Sequence, residues 1–379
     1  MLKQRFPIEA LEVSAYQVPT DGPESDGTLT WDSTTLVLVE LHAGGQSGLG
    51  YTYGHPACAT LIRDKLAGII EGHDALAVRG GWLKMVEAIR NLGRPGISSM
   101  AIAAIDVAMW DLKARLLDIP LVALIGAVRS EVPVYGSGGF TSYSPEQLQR
   151  QLSDWVGSGI SRVKMKIGRE PERDIDRVRL AREAIGPAAE LYVDANGAYA
   201  RKQALAMAEA FTAYGVSWYE EPVSSDDLPG LRLLRDRVPG SIEIAAGEYG
   251  YDLGYFRRML EAGAVDVLQA DLTRCAGISG FLDVAVLCDA HQIALSTHTA
   301  PALHMHPGCC AAAVRHLEYF HDHARIESML FEGRVNPDKH GNMAPDLSQP
   351  GLGLTFKRQG GAGLQAVFGL IARLDGASG

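Results

Sequence analysis

RVKMKIGREPERDIDRVRLAREAIGPAAELYVD, Arg162–Asp194, is the stretch whose reading decides the fold. Its opening, Arg162–Ile167, alternates apolar and charged residues, the period of a strand. That period puts Lys164 and Lys166 on one face and Met165 on the other. Glu172–Ile185 then changes to helical spacing, with Ile175, Val178, Ala181 and Ile185 predicted on one face. Glu190–Asp194 is a second short β-like run. Strand, crossover helix and strand in sequence call for parallel pairing.

Working outward, the same unit repeats. Strands are predicted near Val132–Phe140, Arg162–Ile167, Glu190–Asp194, Val216–Glu220, Ile242–Ala246, Val265–Gln269, Ile293–Thr297 and His316–Phe320. Eight units at a spacing of roughly 20–30 residues imply a (β/α)8 barrel of the α/β class. An open doubly wound sheet is the alternative, but no Gly-rich dinucleotide turn follows the first strand. Residues 1–130 read differently, as a separate α+β domain. There Leu36–Leu41 (LVLVEL) reads as a strand, Thr20–Thr30 as a mobile loop and Ser99–Leu117 as a long apolar helix. The barrel is assigned to residues 131–325. The last segment, 326–379, is Gly- and Pro-rich and then weakly helical, too short to fold alone and expected to pack back on the first domain.

Composition narrows the function. The chain has 379 residues, 47% hydrophobic and 21% charged, which is ordinary for a globular protein. Net charge is −10 and no basic stripe is present, which argues against nucleic acid. The five cysteines follow neither a zinc nor a disulfide spacing, as in a reducing compartment. No apolar run is long enough to span a membrane and the first residues lack a secretory h-region, so a cytoplasmic enzyme is expected.

In a parallel barrel the chemistry sits where the strands end. Here those ends carry Lys164 and Lys166, Asp194 with Asn196, Glu220, Glu248, Asp271, His298 and Glu318. Asp194, Glu220 and Glu248 stand one βα unit apart and can converge on one cation. An oxygen-only set favours Mg²⁺ over zinc. Two neighbouring ammonium groups near such a cation repel, so each lysine pKa is expected to fall, leaving Lys166 able to act as a base and Lys164 to hold a carboxylate. Opposite them, Asp271 can fix the tautomer of His298 and raise its basicity, giving a second acid/base. Glu318, if protonated, could hydrogen-bond a substrate carboxylate. For each of these residues a salt bridge or an ordinary surface position is the simpler reading, and the set in register outweighs it.

KMK at 164–166, VDAN at 193–196, YEEP at 219–222, AGE at 246–248, QADLTRCAGISG at 269–280, STH at 296–298 and LE at 317–318 together resemble the enolase superfamily, in its mandelate racemase subgroup. The segment AIAAIDVAMWDLKARLLDIPLVALIG, Ala101–Gly126, looks like the part of that family that joins its capping domain to the barrel. The resemblance covers nearly the whole chain. It implies that Asp194, Glu220 and Glu248 ligate Mg²⁺, with no ligand role for Glu221. It makes Lys166, with Lys164 beside it, and His298, supported by Asp271, the acid/base groups on two faces of the substrate. It places Glu318 on the substrate carboxylate and Asn196 toward the substrate. It also implies that loops at about Pro19–Thr30 and Gly48–Cys58 cap the barrel mouth, and that the enzyme forms a homo-oligomer.

The implied chemistry is removal of the proton next to a carboxylate, with the enediolate stabilised by the metal, a mechanism general to this superfamily. Dehydration of an acid sugar, an aldonate or aldarate, to a 2-keto-3-deoxy acid is the favoured outcome. Racemisation or epimerisation of a 2-hydroxy acid is the alternative, and a non-catalytic barrel with a retained metal site the least favoured. A muconate-type cycloisomerase would carry lysine on the sixth strand, where Asp271 stands. Polar residues favour the sugar acid: Tyr51, Tyr53 and His55 in the lid, Trp31, Asp32 and Ser33 past the first loop, and Arg274, His304 and His306 near the motifs.

Overall fold

The computed structural model describes residues 5–358 and the backbone of the strand 366–373. The chain opens with three antiparallel strands, β1 (Ala10–Ser25), β2 (Thr30–Ala43) and β3 (Gln46–Tyr53). The expected loop at Thr20–Thr30 is instead the end of the β1–β2 hairpin, with an irregular register between Pro19 and Glu24. Its tip is pressed onto the barrel. A Cβ at Gly27 would stand 2.4 Å from the Ala195 carbonyl and 2.8 Å from that of Ile167, so only glycine permits the approach.

Behind this sheet lies the helix Ile97–Leu116, which buries residues on almost every side. The sheet meets its backbone directly: a Cβ at Gly50 would be 2.3 Å from the Ala104 carbonyl. The same helix ties this domain to the barrel. Asp106, wholly buried, accepts from the Ser279 amide at 2.8 Å and the Ser279 hydroxyl at 2.7 Å. Burial lifts its carboxyl to about 7, against which those two donors act.

Eight parallel strands follow: β4 (Val132–Gly138), β5 (Arg162–Lys166), β6 (Glu190–Asp194), β7 (Val216–Glu220), β8 (Glu243–Ala246), β9 (Val267–Ala270), β10 (Ala294–Thr297) and β11 (Val314–Phe320). Each pairs with the next and β11 pairs with β4, so the barrel closes. The helix Pro171–Ile185 buries Val178, Ala181 and Ile185 against it. Ile175, predicted on that face, is 37% exposed and sits at its edge. Inside, the two lysines of β5 face the barrel axis region among other polar groups, while Met165 is buried beneath the outer helices' apolar core. Lower in the barrel an aromatic layer fills the interior: Tyr192 stacks on Trp218 at 5.2 Å, and His316 meets Tyr135 edge-on at 4.9 Å.

After the barrel come the short strands β12 (Phe331–Glu332), β13 (Asn342–Met343) and β14 (Thr355–Phe356), then β15 (Ala366–Arg373). β13 adds antiparallel to β4 and β15 adds antiparallel to β1. The helix expected near the end is therefore a strand. Its sequence, AVFGLIAR, contains Val, Phe and Ile, which favour a strand, and a Gly, which disfavours a helix. Residues 359–365 and 374–379 of that segment lie outside the described residues. No helix among the described residues is long and apolar enough to cross a membrane.

Candidate active site

Strand register sets the site. Lys166 pairs with Asp194 across β5 and β6, and Asp194 with Glu220 across β6 and β7, so these three stand in one row. Glu248 follows two residues past the end of β8. One carboxylate oxygen from each of Asp194, Glu220 and Glu248 lies within 4.8 Å of the others, and all three residues are buried. The backbone bends sharply as it leaves these strands: φ is 46° at Asn196, 35° at Glu221, 50° at Thr299 and 40° at Ala300. Left-handed non-glycine residues gathered at one end of a barrel are strain of the kind that functional sites hold.

The lysines are wrapped in carboxylates. Lys164 Nζ lies 2.5 Å from Glu220, 2.8 Å from Glu318 and 3.6 Å from Asp194; Lys166 Nζ lies 2.5 Å from Asp194. The expected fall in lysine pKa is not what this arrangement gives. Burial does push both ammonium groups down, but Glu220 and Glu318 outweigh it at Lys164, and Asp194 outweighs it at Lys166, so both are raised. Attraction to several touching carboxylates exceeds the repulsion between two lysines. Glu318 is likewise corrected: burial raises its carboxyl, but Lys164 holds it well below the usual range, so it is an ionised partner and not a protonated donor. Its second oxygen accepts from the Thr299 amide at 2.7 Å.

On the far wall His298 Nδ1 lies 2.9 Å from Asp271 Oδ2, and Nε2 lies 3.3 Å from Glu248. Asp271 is anchored independently by the Thr273 amide and hydroxyl, each at 2.7 Å. Burial would raise its carboxyl, but the bond to His298 dominates and keeps it ionised.

A cavity of about 500 Å³ opens between the hairpin and the strand ends. Lys166, Asp271, His298, Glu318, Glu248 and Asn196 all face it, as do Tyr53 and Arg274. Arg274 also secures Glu248, donating to its carbonyl at 3.1 Å and lying 3.4 Å from its carboxylate. Other expected contacts do not reach the cavity. Tyr51 is fully buried, its hydroxyl donating to Glu327 at 2.7 Å and its ring stacked on Phe331. On a strand, Tyr51 and Tyr53 share a face, but Tyr51 lies deeper under the cap. His55 is exposed beyond the rim and accepts from the Ala57 amide. His304 and His306 are buried within the helix Pro301–Cys310, where His304 Nε2 accepts from the Leu272 amide at 3.0 Å. Asp32 is exposed and also outside the lining.

Several lining residues escaped the sequence reading: Thr34, Thr35, Tyr249, Phe320 and His323. The run His321-Asp322-His323, directly after the eighth strand, was the signal that could have drawn attention to the last.

Residues 147–360 match the family model described as enolase C-terminal domain-like, and residues 10–126 match that of the mandelate racemase/muconate lactonizing enzyme N-terminal domain. The chain is 31% identical over 362 residues to the 3,6-anhydro-alpha-L-galactonate cycloisomerase of Streptomyces coelicolor, covering 93% of this chain and 98% of that protein. A solved mandelate racemase/muconate lactonizing enzyme-like protein from Rubrobacter xylanophilus superposes with a TM-score of 0.93 at 57% identity, over 95% of this chain and 100% of that one. An L-talarate dehydratase from a Polaromonas species, complexed with Mg and L-glucarate, gives a TM-score of 0.84 at 30% identity, over 95% and 98%.

Proposed function

The chain belongs to the mandelate racemase/muconate lactonizing enzyme family of the enolase superfamily, whose members are lyases and isomerases, and from that premise we propose that it dehydrates an acid sugar using Mg²⁺. The observation that carries this reading is the pair of opposed acid/base groups, Lys166 and His298, lining one cavity beside a buried carboxylate triad.

The triad fits a small hard cation. Three buried carboxylates from consecutive strands, each with an oxygen within 4.8 Å of the others, make the oxygen-only donor set that Mg²⁺ prefers. Asp194, Glu220 and Glu248 would hold it. Bound there, Mg²⁺ would supply Lewis-acid stabilisation of the charge developing on the substrate carboxylate and draw off carboxylate charge that otherwise keeps Lys166 protonated.

The chain's own residues do the rest. Lys164, held charged by Glu220 and Glu318, offers a fixed positive charge to the same carboxylate. Lys166 stands on one side of the α-carbon to remove or return its proton. His298 stands on the other, with Asp271 on Nδ1 so that Nε2 faces the reacting atoms. In dehydration the α-proton goes to one of these groups, the other protonates the β-hydroxyl, and the C–O bond breaks as water leaves. The hydroxyl-rich hairpin wall suits a polyol chain better than an aromatic ring.

The similarity to a protein named as a cycloisomerase favours a second reading, isomerisation without loss of water, which shares the same proton abstraction. A screen of mono- and diacid sugars in deuterated water with Mg²⁺, followed by NMR, tests both. A keto acid is expected. Deuterium entering the α-carbon with no elimination would replace dehydration by racemisation or epimerisation, and no change in any acid sugar would remove the proposal.

A further inference from the structure

His323 lies three residues past β11 and plays no part in the proton transfers above, yet it forms part of the cavity wall. Its ring is held on two sides. Tyr53 stacks on it with centroids 3.4 Å apart and planes at 17°, and Phe320 meets it edge-on at 5.1 Å. Nδ1 accepts from the Ala300 amide at 3.3 Å. A nitrogen that accepts from an amide carries no proton, so in the neutral ring the proton is on Nε2. Burial depresses the ring to about 3, which keeps it neutral across the physiological range. Nε2 has no hydrogen-bond partner among the described residues, and the ring lines the cavity, so this nitrogen is the one left to donate to a bound molecule.

The charges around it matter as much. Among the described residues of the lining, the Lys and Arg side chains are Lys166 and Arg274, both on the barrel side. Lys166 is paired with Asp194, and Arg274 lies against Glu248 and Asp271. The hairpin contributes hydroxyls from Thr30, Ser33, Thr34 and Thr35, and a carboxylate, Asp26. Among the described residues, the hairpin's own lining side chains offer hydrogen bonds and no positive charge; Arg169 lies behind them on the Thr30 hydroxyl.

We propose that His323 is a specificity residue, donating from Nε2 to a hydroxyl on the uncharged tail of the substrate, and that the enzyme therefore takes monocarboxylic sugar acids in preference to diacids. This rests on the proposed α-proton chemistry and narrows its substrate class. A second carboxylate at the hairpin end would meet Asp26, while Arg169, whose guanidinium donates to the Thr30 hydroxyl at 2.7 Å, stands outside the lining. A neutral polyol tail meets donors and acceptors alone.

The test compares wild type with His323→Phe, which keeps a flat ring between Tyr53 and Phe320 but removes the donor. Aldonates, the matching aldarates and single-deoxy aldonates are assayed for α-proton exchange with Mg²⁺, and aldonate affinity is measured by calorimetry. The wild type should favour aldonates. The variant should raise KM for the aldonate roughly 10- to 100-fold, the size expected for loss of one buried hydrogen bond, with kcat changed less. One deoxy analogue should be weak for wild type and should lose nothing further in the variant. Equal losses on the full and every deoxy substrate would make His323 merely structural and overturn the proposal. So would faster wild-type turnover of aldarates. If no acid exchanges its proton, the dehydration reading fails by itself; the inference then stands or falls on whether calorimetry shows weaker aldonate binding to the variant.

Discussion

The two walls of the site solve the same problem with different supports. Lys166 shares its carboxylate partner, Asp194, with the candidate metal triad. His298 has its own, Asp271, which is pinned by Thr273 and stands outside the triad. The lysine wall is therefore tuned by whatever occupies the carboxylates, whereas the imidazole wall keeps its tautomer and aim without it. The 3.3 Å contact between His298 and Glu248 links them, as does Arg274, which lies against both Glu248 and Asp271.

The hardest blow to this comparison is Glu220→Gln. It removes one triad oxygen charge and also the closest partner of Lys164, while Trp218 Nε1, now 2.9 Å from the same carboxylate, can still find an acceptor. Mg²⁺ affinity by calorimetry should fall about 100-fold or more, beyond the loss typical of an outer partner, and activity by about three orders of magnitude. Unchanged affinity would take Glu220 out of the ligand set. The His298–Asp271 pair should be untouched, which NMR of the ring nitrogens can verify.

Separating the walls is the next test. Lys166→Met should abolish exchange at one face of the α-carbon, and His298→Asn at the other, each by roughly 10²–10⁴-fold as for loss of a general acid or base. Deuterium incorporation into the two α-epimers reads the faces apart. If both variants lose the same epimer, or neither does, the two groups do not face each other across the substrate.

The difference between the walls also explains what the sequence could reveal. Residues at the strand ends were legible, because side-chain period and strand order place them with no knowledge of their neighbours: Asp271, His298 and Glu318 line the cavity, and Lys164, Asp194 and Glu220 are buried in one cluster with Glu318. Their charge states were not legible. The lysine pKa direction depends on Asp194 and Glu220 lying within 2.5 Å, a distance that register fixes and composition does not. The lid was read least well. Tyr51 and Tyr53 look equivalent in YTYGH, yet one is sealed against Phe331 and the other lines the cavity. Depth along a strand beneath a separate domain is a property of packing between domains. The hairpin tip escaped for the same reason, since its docking depends on the absence of a Cβ at Gly27 against Ala195 and Ile167.

The smallest expected effect lies away from both walls and sharpens the distinction between chemistry and support. Glu327 is buried, accepting from Tyr51 at 2.7 Å and from the Ala302 amide at 3.2 Å. Burial raises its carboxyl to about 8, partly opposed by the Tyr51 hydrogen bond. A folded value above the ordinary 4.5 means that the folded state holds a proton that the unfolded chain gives up more readily. Its contribution to stability is therefore full below about pH 4.5 and is lost as pH rises through about 8. Glu327→Gln cannot titrate, so its melting temperature should decline less between pH 5 and 8 than that of wild type. Glu24, raised to about 8, and Asp106, raised to about 7, keep some slope in both proteins. Parallel melting curves across that range would show that Glu327 is ionised in the folded protein. An altered ratio of exchange at the two α-faces would show that the support beneath the cap also aims the walls.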